Sequence, residues 1–154
     1  MRKIRLTQNK FTLVDNKDFK YLKQFQWQYY RGYAKRGKWD KTIKNNRTIF
    51  MHSEILKTPK GFLADHVNGI KLDNRRKNLR IANYSQNGMN KRMQKNNKSG
   101  YTGVSWDQTN RKWTSRIKVN NKYLNLGYFI NKTIAHQAYI KASKIYFKEF
   151  RRIQ

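Results

Sequence analysis

A carboxylate and an imidazole stand side by side at Asp65 and His66, and an amide follows at Asn87. Carboxylate and amide oxygens suit a hard divalent cation such as Mg²⁺ or Mn²⁺, so Asp65 and Asn87 are candidate metal ligands. A cation bound there would stabilise charge on a phosphate and on its leaving oxygen. His66, whose ordinary pKa is about 6.5, can take a proton from water near neutral pH. This combination suits metal-assisted hydrolysis of a phosphodiester.

Two short strands and a helix are predicted to position these groups. Apolar residues flank a tight turn at Asn68-Gly69, a pair that suits a backbone with positive φ. Ser85 then suits the N-cap of a helix that runs to about Gln94. Folded in the order strand, loop, strand, helix, the segment would bring the carboxylate, the imidazole and the amide to one point. The same residues also fit a β-turn with a surface Asp and His, because short motifs of common residues recur by chance.

Three segments follow one another between Asp65 and Asn87: D-H-V-N-G, L-D-N-R-R-K-N-L-R and S-Q-N. They resemble, in order and spacing, the HNH nuclease motif of phage and intron-encoded homing endonucleases, over roughly residues 51–93. The resemblance implies a ββα-metal unit in which His66 is the general base. It further implies that Asp65 and Asn87 hold one divalent metal, and that Asn78 steadies the loop by hydrogen bonding.

The chain departs from that family at one position. The family often has an Arg directly after the upstream His of an M-H-R segment, whereas this chain has Met51-His52-Ser53. His52 is therefore either an ordinary packed or surface residue or a neighbour of the active site. Any phosphate contact of the missing Arg would pass to another basic residue, and the candidates are Arg75, Arg76 and Arg80.

The charge of the chain indicates a polyanionic partner. Its 154 residues carry 36 Lys and Arg against 8 Asp and Glu, a formal net charge of +28 that is spread along the whole length. Nucleic acid is the first candidate for such a partner. Aromatic residues make up 14% of the chain, which argues against disorder.

Cysteine is absent from the sequence. This excludes disulfides and Cys-ligated zinc, so no structural zinc is expected. The N-terminus lacks an apolar signal segment, and no apolar run is long enough to span a bilayer. We therefore expect a cytoplasmic protein that is not secreted and has no membrane partner, located in the host cytoplasm if a phage encodes it.

Residues 1–50 are predicted to form a β-rich region that leads into the nuclease unit. Alternating apolar residues indicate a hairpin around Gln8-Asn9, and Asp15 suits the cap of a short helix. A strand opened by Trp27 is predicted to pair with residues 48–51 across a basic loop. The aromatic residues here are interpreted as core packing rather than base stacking, and the basic loop as a segment that meets phosphate or solvent.

A second module is predicted over residues 100–154, separated by a linker at 95–99 from a nuclease domain at 1–94. Three strands are expected at 103–106, 113–119 and 123–129, followed by a helix over 133–147. A three-stranded antiparallel sheet packed on one helix is a stable two-layer unit.

The middle strand of this module has two different faces. Alternation directs Ile117 toward the core, and directs Thr114, Arg116 and Lys118 to a basic, hydrogen-bonding face that can enter the major groove. The apolar positions of the helix are Ile134, Ala135, Ala138, Ala142, Ile145 and Tyr146.

The segments S-G-Y-T-G-V-S-W, R-K-W-T-S-R-I, L-G-Y-F and A-H-Q-A-Y occur in this module. They resemble the APETALA-type (ethylene-response-factor) DNA-binding domain, whose sheet docks in the major groove. The resemblance implies DNA contacts by Trp106, Arg111, Trp113, Arg116 and Lys118. The alternative is a basic scaffold without sequence preference.

Together these features predict an α+β protein with a β-rich N-terminal region, a ββα-metal unit and a three-stranded sheet packed on one helix. The predicted function is a site-selective, phage-type homing endonuclease that acts as a monomer on double-stranded DNA. A DNA-binding protein without catalysis is one alternative, and an RNA-binding protein is another. Neither alternative requires the ordered series of Asp65, His66, Asn78 and Asn87.

Overall fold

The computed structural model describes residues 1–91 and 93–152. These residues form an α+β structure of four α-helices and several small antiparallel sheets, so the α+β part of the fold prediction is confirmed. The chain divides into two compact units, Met1–Tyr84 and Ser85–Gln154. Within the described residues, no helix is long and apolar enough to cross a membrane.

The first unit contains seven strands and two helices among its described elements. The strands are β1 (Arg2–Arg5), β2 (Phe11–Val14), β3 (Gln28–Tyr30), β4 (Tyr33–Asp40), β5 (Asn45–Phe50), β6 (Leu63–His66) and β7 (Leu79–Ala82). The helices are α1 (Asn16–Leu22) and α2 (Met51–Leu56), and a third helix, α3 (Tyr84–Met89), begins at the last residue of the unit. The three sheets have the strand orders β1-β2, β3-β4-β5 and β6-β7.

The predicted N-terminal hairpin is confirmed. β1 and β2 pair antiparallel, and the turn places Gln8 and Asn9 at positive φ, a conformation that Asn adopts more readily than most residues. Asp15 precedes α1 as predicted, but its side chain does not cap the helix. Its Oδ2 instead accepts a hydrogen bond from the backbone N–H of Arg76 at 2.7 Å. The carboxylate therefore ties α1 to the loop between β6 and β7.

The predicted pairing of the Trp27 strand with residues 48–51 is wrong. β5 pairs with β4, and β4 consists largely of the segment that the sequence suggested was a basic loop. Arg36 explains the difference, because its guanidinium lies 4.0 Å from the Phe25 ring centroid and bonds Glu54 at 3.3 Å. A long basic side chain can thus cover an apolar surface from within a strand.

The core of the first unit forms where the hairpins and the two helices meet. Leu22 and Met51 are fully enclosed, which contributes roughly 1.5–3 kcal/mol each. Trp27 is also buried and donates from Nε1 to the Leu22 carbonyl at 2.8 Å. Core packing is therefore confirmed for Trp27, whereas Tyr30 stays exposed.

The order strand, loop, strand, helix is present in β6, β7 and α3. α3 begins at Tyr84 and ends at Met89, so both the predicted N-cap at Ser85 and the predicted end near Gln94 are wrong. Gly88 and Asn90 are poor helix formers and account for the early end.

The second unit contains the predicted three-stranded sheet and helix. Its elements are β8 (Val104–Asp107), β9 (Lys112–Val119), β10 (Lys122–Phe129) and α4 (Lys132–Phe147), with sheet order β10-β9-β8. Ile117 is buried in the core as predicted, but Thr114 is buried too rather than lying on an open polar face.

The buried side of α4 differs from the predicted apolar side. Ala135 and Ala142 are buried as expected, but Ile134, Ile145 and Tyr146 are exposed. The remaining buried residues of the helix are His136, Ser143 and Phe147. Close packing selects this side, because Gly103, at a φ of 75°, leaves room for the Tyr139 ring, which a Cβ there would overlap.

Candidate active site

Asp65 and His66 are the last two residues of β6, and both are buried. The pairing of β6 with β7 sets Asp65 opposite Arg80. One carboxylate oxygen of Asp65, Oδ2, accepts from Arg80 Nε at 2.9 Å and from Nη2 at 2.8 Å. The burial is inconsistent with the simpler interpretation of a surface Asp and a surface His.

A chain of hydrogen bonds fixes the ring of His66. His66 Nε2 lies 3.0 Å from Oδ1 of Asn74, whose Nδ2 donates to Thr12 Oγ1 at 2.7 Å. Thr12 Oγ1 in turn donates to the Leu72 carbonyl at 2.8 Å. Because Asn74 uses its amide N–H toward Thr12, its oxygen must accept from His66. This assigns the proton of the neutral ring to Nε2 and makes Nδ1 the proton-accepting nitrogen.

The N-terminal hairpin supports the same loop through its backbone. The N–H of Leu13 donates to the Leu72 carbonyl at 2.8 Å, and the N–H of Asn74 donates to the Leu13 carbonyl at 2.8 Å. Leu13 and Asp73 accordingly form an isolated parallel bridge. β2 therefore holds residues 72–74 in place through backbone hydrogen bonds.

Asn78 bonds across the loop that follows His66. Its Oδ1 accepts from the backbone N–H of Asn68 at 3.0 Å, and its Nδ2 donates to the Asp73 carbonyl at 2.8 Å. The turn is closed by the Gly69 N–H, which donates to the His66 carbonyl at 2.8 Å. These bonds join both ends of the loop, as the role expected for Asn78 requires.

His52 is buried and lies beside His66, as expected for a neighbour of the candidate site. The ring centroids of the two histidines are 4.9 Å apart, and the His52 ring also stacks on Phe50. Burial lowers the pKa of His52 to about 3, with a smaller contribution from His66. Burial also lowers the pKa of His66, and the hydrogen bond with Asn74 and the charges of Asp65 and Asp73 oppose that effect. Both rings are consequently neutral near pH 7, and a neutral His66 is able to accept a proton.

Each of the three arginines proposed for phosphate contact is paired with a carboxylate. Arg75 binds Asp73 through two hydrogen bonds of 2.6 Å. Arg76 binds Asp18 at 2.8 and 2.9 Å, and Arg80 binds Asp65 as described above. Arg76 is the most exposed of the three side chains. All three thus brace the loop or the adjoining helix.

The remaining predicted site residues lie in the second unit or at its beginning. Asn87 is in α3. Trp106 and Trp113 are opposite each other in β8 and β9, with their rings edge to face at 5.2 Å. Strand alternation places Arg116 and Lys118 on the other face of β9 from Trp113. Arg111 lies in the connecting turn at positive φ. The five residues implied by the APETALA-type resemblance thus do not share one face.

Asn74 and Thr12 are the site residues that the sequence did not reveal. Thr12 lies 62 residues before Asn74, so no local motif contains both. One signal was available, because alternation in β2 directs Thr12 to the same buried side as Val14. A Thr on a core-facing position needs a hydrogen-bond partner.

The metal-ligating potential of the described residues is limited. Among residues 1–91 and 93–152, no three His, Cys, Asp or Glu side chains cluster in a way that would hold a metal ion. A divalent cation at Asp65 would therefore depend on amide oxygens and water for its other ligands, an arrangement that Mg²⁺ accepts.

No protein-family model and no solved structure matches the chain significantly. The chain is similar to Protein 3.8 of Escherichia phage T7, with 34% identity over 67 residues. The aligned part is 44% of this chain and 55% of the phage protein, so the chain spans about half the length of the relative it matches. The similarity connects the chain to a bacteriophage protein.

Proposed function

We propose that the protein is a metal-dependent DNA endonuclease of the HNH homing type, with an APETALA-type DNA-binding module after the nuclease part. The observation that carries the proposal is the environment of His66. The ring is buried beside Asp65, and Asn74 accepts from its Nε2–H, so that Nδ1 is the nitrogen able to accept a proton. A neutral imidazole whose Nε2–H is held in this way carries its lone pair on Nδ1, as a general base requires.

The roles follow from these contacts. His66 accepts the proton of the attacking water through Nδ1, and Asn74 and Asn78 keep the ring and the loop in place. Asp65 and Asn87 supply the oxygen ligands for Mg²⁺ or Mn²⁺. When bound, the cation supplies charge stabilisation at the phosphate and at the leaving oxygen. Arg80 balances the buried Asp65 carboxylate in the structure, a role that a divalent cation suits equally well.

The charge distribution supports double-stranded DNA as the substrate. The net charge of +28 offers many phosphate contacts. In the second unit, Arg116 and Lys118 are exposed on β9, and Lys118 Nζ lies 5.5 Å from the Tyr123 ring centroid. We assign site selection to this sheet and cleavage to the loop around His66, in a monomer that acts in the host cytoplasm.

Incubation of supercoiled plasmid with the purified protein and Mg²⁺ tests the proposal. We expect nicked or linear DNA, no cleavage in EDTA, and a rate lower by roughly 10²–10⁴-fold for His66→Ala with nearly unchanged DNA affinity. Binding without cleavage would support a non-catalytic DNA-binding protein instead. Preference for RNA over the plasmid, again without cleavage, would support the RNA-binding alternative.

A further inference from the structure

One face of the sheet formed by β3, β4 and β5 carries aromatic and basic side chains outward from the candidate active site. We call it the hairpin face and define it by Tyr30, Tyr33, Lys35, Gly37 and Trp39, which the strand registers place on one side. We propose that the hairpin face binds duplex DNA beside the scissile phosphate, with the β4–β5 ribbon in the major groove. This inference rests on the proposed endonuclease function.

The hairpin face begins at the site itself. The Tyr33 ring centroid lies 6.1 Å from that of His66 and 5.6 Å from that of Phe50. Lys71, in the loop after His66, places its Nζ 4.1 Å from the Tyr33 ring centroid. A duplex whose phosphate reaches His66 therefore meets the inner end of this face.

The charge of the hairpin is suited to a polyanion. Residues 33–50 contain six Lys or Arg and a single acid, Asp40, which is paired with Arg47 at 3.2 Å. On the hairpin face, Lys35 Nζ lies 4.2 Å from the Tyr30 ring centroid. The aromatic ring holds the ammonium group at the surface without removing its charge.

The outer part of the face is open. Trp39 is 57% exposed, although a Trp in a stable core would be covered. Gly37 lies between Lys35 and Trp39 and has only the Asn46 side chain within 4 Å of the place where a Cβ would be. The absence of a side chain at this position lets a ligand approach the strand backbone closely.

The opposite face of the ribbon is occupied by the protein at its inner end. Arg36 packs on the Phe25 ring at 4.0 Å and bonds Glu54, whose Oε1 also accepts from the Tyr21 hydroxyl. The ribbon is thus anchored through this face at its inner end, whereas Lys38 and Arg47 on the outer part of the same face are exposed. Single exposed aromatic residues are common on protein surfaces, but Trp39 continues a line of rings and cations that starts at His66.

The dimensions of the ribbon fit a groove of B-form DNA. A two-stranded β-ribbon fits the major groove, which is about 12 Å wide. From Tyr33 to Asp40 the strand advances by seven residues, about 23 Å at roughly 3.3 Å per residue. At about 3.4 Å per base pair, this length covers about seven base pairs on one side of the cut.

The test uses the full-length protein and a duplex that carries a cleavage site mapped in the plasmid assay. Lys35→Ala/Trp39→Ala should weaken binding about tenfold and reduce the slope of log K against log salt by about 0.9, the contribution of one phosphate contact. Its nuclease footprint should recede by several base pairs on one side of the cut only. Lys20→Ala/Phe11→Ala is a matched control, because both residues are exposed in the same unit but lie outside the hairpin face.

A second measurement does not depend on any variant. Guanine N7 faces the major groove, so the wild-type protein should protect guanines from dimethyl sulfate within about seven base pairs on that side. Unprotected guanines there, an unchanged footprint of the double variant, or an equal loss in the control would overturn the inference. Failure of the wild-type protein to cut DNA would instead remove the proposed function on which it rests.

Discussion

Asn74→Leu removes the oxygen that accepts from His66 Nε2 and replaces it with an apolar side chain of similar shape. The bond spans 3.0 Å, and Asn74 is completely buried, so water does not replace it readily. Without an acceptor, the ring loses the preference that places its proton on Nε2. We expect the cleavage rate to fall while DNA affinity stays within a factor of a few.

The size of the effect follows from the two side-chain bonds that Asn74 makes. Each is worth about 1 kcal/mol net, and about 1.4 kcal/mol corresponds to a factor of ten in rate. Loss of both bonds, about 2 kcal/mol in all, therefore lowers the rate by about 10–100-fold, which is also the range found for residues that orient metal ligands. Stability is affected separately. The His66 N–H left without an acceptor lowers the free energy of unfolding by about 1–3 kcal/mol.

Asn74→Asp separates positioning from packing. Its carboxylate keeps an oxygen for His66 Nε2–H, and the Thr12 hydroxyl can rotate to donate to the other oxygen. Single-turnover cleavage at saturating protein should therefore be largely retained in Asn74→Asp and lost in Asn74→Leu. Thermal unfolding of both variants checks that each is folded at the assay temperature. Wild-type rates in folded Asn74→Leu, or equal defects in both variants, would refute the tautomer argument.

Three further outcomes are expected. Asp65→Ala and Asn87→Ala should each abolish Mg²⁺-dependent cleavage. Calorimetric titration with DNA present should show that both variants bind the metal ion more weakly. Unchanged metal affinity in both would contradict their assignment as ligands. The folded-state pKa of His52 is about 3, against about 6.5 when unfolded, so the unfolded chain binds more protons between these values. The free energy of unfolding should thus fall by up to about 1.4 kcal/mol per pH unit as the pH drops through that window. His52→Phe should flatten this dependence on pH, measured by urea denaturation at several pH values. An identical dependence in the variant would contradict the assignment. Gly103→Ala should destabilise the second unit by about 2–4 kcal/mol, because the backbone is strained and the new Cβ overlaps the Tyr139 ring. Gly100 is also at positive φ but has open space around it, so Gly100→Ala should cost only about 1–2 kcal/mol in the same denaturation assay.

Local patterns in the sequence predicted much of the secondary structure. Alternation between apolar and polar residues located the β1–β2 hairpin and the β8–β10 sheet, because a half-buried strand must repeat every two residues. The pattern failed for β4, whose basic residues suggested a loop. Arg36 lies inward there because an aromatic surface and Glu54 receive its guanidinium, and no local rule anticipates such distant partners.

The helix of the second unit shows a different limit of sequence reasoning. Hydrophobicity alone assigned Ile134 and Ile145 to the buried side of α4, yet both are exposed. The buried side is determined by the room available on the sheet. The Tyr139 ring packs over Gly103, where a Cβ would overlap it. For the candidate site, motif spacing gave Asp65 and His66, whereas the support behind His66 comes from a strand far away in the chain.

Residues 72–74 depend on β2 for their conformation. The smallest part of the chain that can be moved to another protein with this loop intact therefore includes β2. A fragment limited to residues 51–93 would contain the whole D-H…N…N series but lack β2, the strand that contributes Thr12 and Leu13. Closing a loop of about sixty residues costs chain entropy and slows folding. The loop should therefore order late, after the first hairpin has formed. Engineering that fuses the first unit to a separate DNA-binding domain should accordingly retain β1 and β2 and attach the partner elsewhere.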